Sequence, residues 1–175
     1  MILVLLAHPY PSRSRANSRL VGAIRDMPGV EIRDLYRRYP DFDIDVAAEQ
    51  SAAAAARLVV WMHPLYWYTV PALLKHWFDK VLVKGWAYGP GGTALAGKPC
   101  LWVPTTGGDE LAYSAEGRHR QPFTSFTPAV EQTARYCGME WLEPFVVHGA
   151  HLIDDAALDA RANELRARLL ALVPA

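Results

Sequence analysis

The strongest constraint on this chain is a repeated switch between two hydrophobic periods. Ile2 to Ala7 is an unbroken apolar run, as a strand buried on both faces requires. Val30 to Leu35 largely alternates and suits a more peripheral strand. Leu58 to Met62 and Cys100 to Val103 read as further buried strands, and Trp141 to Val147 as a fifth. Helical stretches fall between them, near 16–26, 46–56, 71–83, 124–137 and 155–172. In the third, Leu73, Leu74, Trp77, Phe78, Val81 and Leu82 share one side and Lys75, His76, Asp79 and Lys80 the other, with Pro71 in the first turn and Gly85 at the exit. The last carries a Leu158, Ala162, Leu165, Leu169, Leu172 stripe with Asp154 or Asp155 as its cap. Five strands interleaved with five helices predict an α/β fold, a parallel sheet with helices on both faces. Right-handed crossovers leave few topologies, and the strand order 2-1-3-4-5 is one of the two common ones. Ligands in such sheets sit outside the carboxyl ends of the strands, so the loops after strands 1, 3 and 4 are the candidates. No repeat or linker divides the chain, which reads as a single domain over 1–175.

Charge and cysteine content narrow the function. Lys plus Arg and Asp plus Glu are 18 each, so there is none of the basic excess of a bulk nucleic-acid binder. Cys100 and Cys137 stand far apart, which indicates neither a disulfide framework nor a structural zinc site. The first residues lack a basic leader, and the apolar run is too short to span a bilayer, so the expectation is a soluble, cytoplasmic protein.

Several motifs fail on context. Gly92 to Lys98 matches the start of a P-loop, but Pro99 stands where the magnesium-binding hydroxyl belongs, and the segment precedes a strand. Gly89 to Ala94 matches GxGxxA without following a strand. Asp41, Asp43 and Asp45 open like a calcium loop, but Val46 and Ala52 occupy the positions of the turn glycine and the closing glutamate. Asp45 reads instead as the cap of the Ala-rich helix. No metal site is expected, and structural roles are expected for His63, His76, His148 and His151.

The three loops hold the chemistry. The first, from His8 to Ser18, offers Ser12, Ser14, Asn17 and Ser18, a helix N-terminus, and the charges of Arg13 and Arg15. Together these suit a phosphate monoester, against an ordinary serine-capped helix start. The second, His63 to Pro71, gathers Tyr66, Trp67 and Tyr68, where a flat aromatic ligand could stack. The third, Thr105, Thr106, Gly107, Gly108 and Asp109, has paired glycines that permit positive φ and close approach of backbone N–H groups. Phosphate, aromatic plane and backbone donors together match a flavin mononucleotide.

A resemblance adds to this. The ordered segments are Ala7-His8-Pro9, Ser14-Arg15-Ala16-Asn17, Asp34-Leu35-Tyr36 leading to Tyr39-Pro40-Asp41-Phe42, His63 to Tyr68, Lys75 to Val81, Gly85 to Gly89, and Thr105 to Gly108. The chain thereby resembles the flavodoxin-fold NAD(P)H:quinone oxidoreductases. It is closer still to the bacterial branch serving as ancillary subunits of glutathione-regulated potassium-efflux systems. The resemblance implies a flavodoxin-like three-layer sandwich and FMN in preference to FAD, since the chain ends soon after its last helix. It implies flavin contacts at His8, Ser14, Arg15, Ala16, Asn17, Leu65, Tyr66, Trp67, Tyr68, Thr105, Thr106, Gly107 and Gly108. Tyr113 and His119 match a tyrosine and histidine near the flavin's reactive face in the animal quinone reductases. The implied reaction is two-electron reduction of a quinone by NADPH or NADH in a homodimer. The alternative is a regulatory subunit that binds a membrane potassium-efflux transporter and lies on the inner face of the membrane through it, with redox activity secondary.

Overall fold

The computed structural model describes residues 1–172. Its strands are β1 (Ile2–Leu6), β2 (Val30–Asp34), β3 (Leu58–Pro64), β4 (Pro99–Thr105) and β5 (Glu140–Trp141). They form one sheet in the order β2-β1-β3-β4-β5, with every pairing parallel. The helices are α1 (Ala16–Ile24), α2 (Leu35–Arg38), α3 (Val46–Ala55), α4 (Ala72–Val81), α5 (Pro128–Tyr136) and α6 (Asp155–Leu172).

Strand alternation builds two cores. Leu3, Leu5, Trp61 and Trp102 face Leu73, Leu74, Trp77, Val130 and Ala134, so α3, α4 and α5 cover that side. Ile2, Val4, Val60, Leu101 and Val103 face Leu20, Ile24, Leu158, Leu165 and Leu169, so α1 and α6 cover the other. The result is the expected three-layer sandwich, with the predicted strand order.

Three elements differ from expectation. The single turn α2 follows β2 directly, because the Asp34 carboxylate accepts from the Arg37 N–H and caps it. The helix expected at 124–137 starts only at Pro128, after a 3-10 turn over Phe123–Phe126, since proline fits a first helical turn. The fifth strand is paired regularly for only two residues instead of running through Val147. Pro144 cannot donate to a ladder, and the chain bulges around it. Leu142 N donates to Cys100 O at 3.0 Å and Phe145 N to Trp102 O at 2.8 Å. Three residues on one side therefore span two on the other, which is a one-residue bulge. Val147 N then donates to Pro104 O at 3.0 Å, so the segment continues along β4.

One polar cluster lies within the α3–α4 core. Glu49 is fully buried. Its carboxylate accepts from Arg33 Nε and Nη2 at 2.9 and 2.7 Å, from Tyr39 Oη at 2.6 Å and from Trp77 Nε1 at 2.8 Å. Four donors around one carboxylate make its burial tolerable. The P-loop-like lysine is also accounted for: Lys98 Nζ donates to the carbonyls of Ala54 and Ala56 at the C-terminal end of α3. Asp45 caps α3 by accepting from Ala48 N, as expected.

Candidate functional site

The carboxyl ends of β1, β3 and β4 enclose a cavity of about 370 Å³, within the range of cofactor clefts. His8, Tyr10, Arg13 and Arg15 line it from the first loop, Pro64, Leu65 and Tyr66 from the second, and Thr105, Thr106 and Gly107 from the third. Ala150 and His151, from the segment before α6, close a further side. The parallel sheet dictates this convergence, because every β-to-helix loop leaves from the same rim.

The first loop is built to receive an anion. Ser14 Oγ and Asn17 Oδ1 are both buried, and neither has a hydrogen-bond partner in the protein. Buried polar atoms are rarely left so, and such an orphan calls for a ligand. Asn17 Nδ2 donates to Thr105 Oγ1 at 2.9 Å, which ties the loop after β1 to the end of β4. The N-terminus of α1 adds free N–H groups. Arg15 bridges to Asp155 at 2.7 Å and holds α6 against this loop. Arg13 lies over the Tyr10 ring at 5.7 Å. His8 Nδ1 accepts from Tyr10 N at 3.1 Å, which leaves Nε2 to carry the proton of the neutral ring. Burial lowers the His8 pKa, Asp34 works against that, and His151 adds to it.

The aromatic loop is only partly in the cavity. Tyr66 and Thr69 exchange two backbone hydrogen bonds, closing a tight turn on Trp67 and Tyr68. Both have positive φ, 49° and 62°, where asparagine or glycine is normally found. A non-glycine residue there costs about 1–2 kcal/mol. Trp67 is 91% exposed and does not line the cavity. Tyr68 turns instead to Phe126, stacking at 4.9 Å, and to His119, with 3.4 Å between Tyr68 Oη and Nδ1.

The glycines of the third loop act through space, not through positive φ. Neither Gly107 nor Gly108 adopts that conformation. A Cβ on Gly108 would lie 2.9 Å from Ala112 Cβ and 3.4 Å from both His119 Nε2 and Tyr113 Cε2. Gly108 therefore makes room for Tyr113 and His119, which pack together at 4.5 Å. Both are half-buried at the rim. Burial raises the Tyr113 pKa, opposed by a hydrogen bond from Thr106 and reinforced by Tyr68.

Sequence reasoning did not bring four residues here. Phe123 and Phe126 were read as flanking or belonging to a helix, and they pack on Tyr113 at 5.6 and 5.9 Å. His148, 5.2 Å from Tyr113, and His151 were expected to be merely structural. Their signal was the His-x-x-His spacing just past the last strand, on the same rim as the other loops. His63 and His76 fit structural roles: His63 is wholly buried, and His76 bonds the Phe42 carbonyl. Among the described residues no group of three or more His, Cys, Asp or Glu is arranged to hold a metal.

Comparisons with known proteins agree with this geometry. A family model described as a flavodoxin-like fold matches residues 1–169. The chain is 53% identical over 171 residues to the glutathione-regulated potassium-efflux system ancillary protein KefF of Citrobacter koseri, covering 98% of this chain and 96% of that one. General stress protein 14 of Treponema denticola, solved in complex with FMN, has a TM-score of 0.91 at 35% identity over 98% of this chain and 99% of its own. An NADPH-quinone reductase from P. pentosaceus has a TM-score of 0.88 at 26% identity, covering 100% and 99%. A chain described as a thermophilic tryptophan halogenase from Streptomycin violaceusniger has a TM-score of 0.92 at 38% identity, covering 96% and 98%.

Proposed function

The chain belongs to the flavodoxin-like fold family, and from that premise we propose that it is an FMN-dependent oxidoreductase reducing quinones by two electrons with NADPH or NADH. One observation carries the reading: the buried Ser14 hydroxyl, a donor with no protein partner, stands between Arg13 and Arg15, which line a cavity with Tyr66 opposite, while the unpartnered Asn17 Oδ1, an acceptor, suits a hydroxyl of the ligand chain. The FMN held by the Treponema denticola relative supports that cofactor over FAD. The likeness to the chain described as a halogenase is left as one of fold, since the cavity points to a phosphate and a flat ring.

The residues fit the cofactor as follows. Ser14, Arg13, Arg15 and the α1 N-terminus would hold the phosphate, with Ala16 and Asn17 packed behind them. His8, Leu65, Tyr66 and the Thr105–Gly108 loop would hold the chain and ring. Bound there, FMN supplies a two-electron carrier between nicotinamide and quinone. Gly107 and Gly108 N–H groups make no hydrogen bond among the described residues and are available to negative charge on the ring. Tyr113 and His119 are the rim groups placed to donate a hydrogen bond or proton to the quinone oxygen.

We place a second copy of the chain over the same rim. Trp67 is fully presented on its strained turn, beside an apolar groove of about 460 Å³ between α4 and α5 that includes Val70, Leu82, Tyr88, Val130 and Tyr136. Exposed tryptophans beside apolar grooves are typical interface anchors.

The test is direct. The purified protein should be yellow, release FMN on heating, bleach under NADPH or NADH without oxygen, and recolour on adding a quinone. A colourless protein that takes up no added FMN refutes the assignment. A second reading, favoured by the 53% identity to KefF, is a regulatory subunit docked on a potassium-efflux transporter. No helix among the described residues is long and apolar enough to cross a membrane, so membrane association in this reading runs through the transporter. Co-purification with such a transporter, retained when bleaching is abolished, would favour this reading over the first.

A further inference from the structure

His148 lies in the segment that continues beyond β5, and that segment is laced to the third loop. Thr106 N donates to Val147 O at 2.9 Å, Ala150 N to Thr106 O at 2.7 Å, and Gly149 N to Gly108 O at 2.8 Å. These bonds leave His148 Nδ1 3.0 Å from Thr106 Oγ1. The ring is fixed further by Tyr113 at 5.2 Å and by an edge contact with Phe123 at 5.4 Å.

Proton accounting settles the tautomer. Thr106 Oγ1 has one proton, and it donates it to Gly108 O at 2.7 Å, a carbonyl that can only accept. The hydroxyl must therefore accept from His148, so Nδ1 carries a proton. The groups facing the imidazole are Glu110 and Asp109, which favour its cation, and Arg161, which opposes it. Burial outweighs them and lowers its pKa, so near neutral pH the ring is uncharged with its proton on Nδ1.

We propose that His148 is a positioning residue for Tyr113, acting through the Thr106 hydroxyl. This inference rests on the reading of Tyr113 as a rim proton donor. The Thr106 hydroxyl bonds the Gly108 carbonyl and also lies within hydrogen-bonding reach of the Tyr113 oxygen, where its donation favours the phenolate. While Tyr113 is a phenol, Thr106 points at Gly108. Once Tyr113 has passed its proton to a quinone oxygen, the phenolate is the stronger acceptor and the Thr106 O–H turns to it. In both states the Nδ1–H of His148 donates to Thr106 Oγ1, which makes that hydroxyl a better donor. His148 thus favours the phenolate, while its own charge does not change.

The test uses the full chain labelled at the tyrosine Cζ carbon, with the Tyr113 signal assigned by its loss in Tyr113→Phe. In His148→Phe the Tyr113 titration midpoint should rise by a few tenths of a pH unit, about the 10–30% by which one hydrogen bond strengthens the next. His148→Asn, whose amide can donate from near the Nδ1 position, should restore it. An unmoved midpoint in His148→Phe overturns the proposal. The unaltered protein gives a check that needs no variant: its imidazole nitrogen shifts should show the Nδ1–H tautomer, and the Nε2–H tautomer overturns the proposal. Neither measurement depends on quinone turnover. A shifted midpoint in a protein that reduces no quinone would sink the functional reading alone, and an unmoved midpoint in an active enzyme would sink this inference alone.

Discussion

Acid should weaken this fold through one buried imidazole more than through any surface charge. His63 is completely buried at the end of β3, and both of its ring nitrogens are committed. Nε2 accepts from Trp102 Nε1 at 2.7 Å, so Nδ1 holds the proton and donates to Pro64 O at 2.9 Å. A proton added at Nε2 would confront the indole N–H with another N–H and place a charge in the core. Burial accordingly holds His63 down to about 4, against an ordinary value of 6.5. With the folded value below the unfolded one, the unfolded chain takes up the proton first. Stability is thus complete above pH 6.5, falls as pH drops from 6.5 toward 4, and then levels off. At 1.36 kcal/mol per pH unit, the loss from His63 alone is about 3 kcal/mol. Urea unfolding at a series of pH values, for the unaltered protein and for His63→Gln, isolates it. Glutamine keeps an acceptor for Trp102 but cannot titrate, while His8 and His148, also lowered by burial, contribute equally to both curves. The stability difference between the two proteins should shrink or invert by about 3 kcal/mol between pH 6.5 and 4. Parallel curves would refute the reasoning. Because Pro64 and Leu65 line the cavity, flavin release should follow the same acid limb.

Further outcomes follow from the same geometry. Ser14→Ala removes an orphaned hydroxyl that should meet a charged phosphate, so FMN affinity should fall about 10- to 100-fold by fluorescence titration, and unchanged affinity would remove Ser14 from the site. His119→Ala should lower quinone turnover on the order of a hundredfold with flavin still bound; full turnover would strike His119 from the rim donors. Glu49→Leu leaves the Arg33 guanidinium with Glu31 alone and the Tyr39 and Trp77 donors unpaired, and should cost about 3–5 kcal/mol in urea unfolding; a cost below about 1 kcal/mol would show the cluster to be dispensable. Trp67→Asn relieves a strained turn and removes an exposed anchor. It should shift the protein toward monomer in sedimentation, and an unshifted dimer would place the interface elsewhere.

The sheet was legible because its signal is local. Ile2 to Ala7 and Leu58 to Met62 are apolar on both faces, as central parallel strands must be. The loops after β1 and β4 followed from topology alone. Illegible were the features that depend on meetings across the sheet. His148 and Thr106 are 42 residues apart and touch only because the segment after β5 runs alongside β4. Phe126 falls within the helix expected over 124–137, with Phe123 just before it, and the structure starts that helix only at Pro128. The paired glycines suggested left-handed backbone, while the structure uses Gly108 for clearance. Trp67 suggested a stacking surface within the pocket, and the turn carries it out to solvent.

The extra residue around Pro144 has a consequence for heredity as well as for shape. Along a strand, sides alternate, so one inserted residue would exchange inside and outside for everything downstream unless a bulge absorbed it, as this one does. Leu142 and Phe145, an odd number apart, both reach the α1–α6 core, and Val147 follows them there. His148 is thereby delivered to the opposite side, against Thr106 and Tyr113. Deleting Glu143 would make Leu142 and Phe145 regular next-but-one neighbours opposite Cys100 and Trp102, and would leave Val147 in the core and His148 at the rim, whereas deleting Val146 would exchange them. A lineage that lost the Glu143 codon would lose the bulge and keep the histidine in the site; one that lost the Val146 codon would keep the histidine in its sequence and lose it from the site.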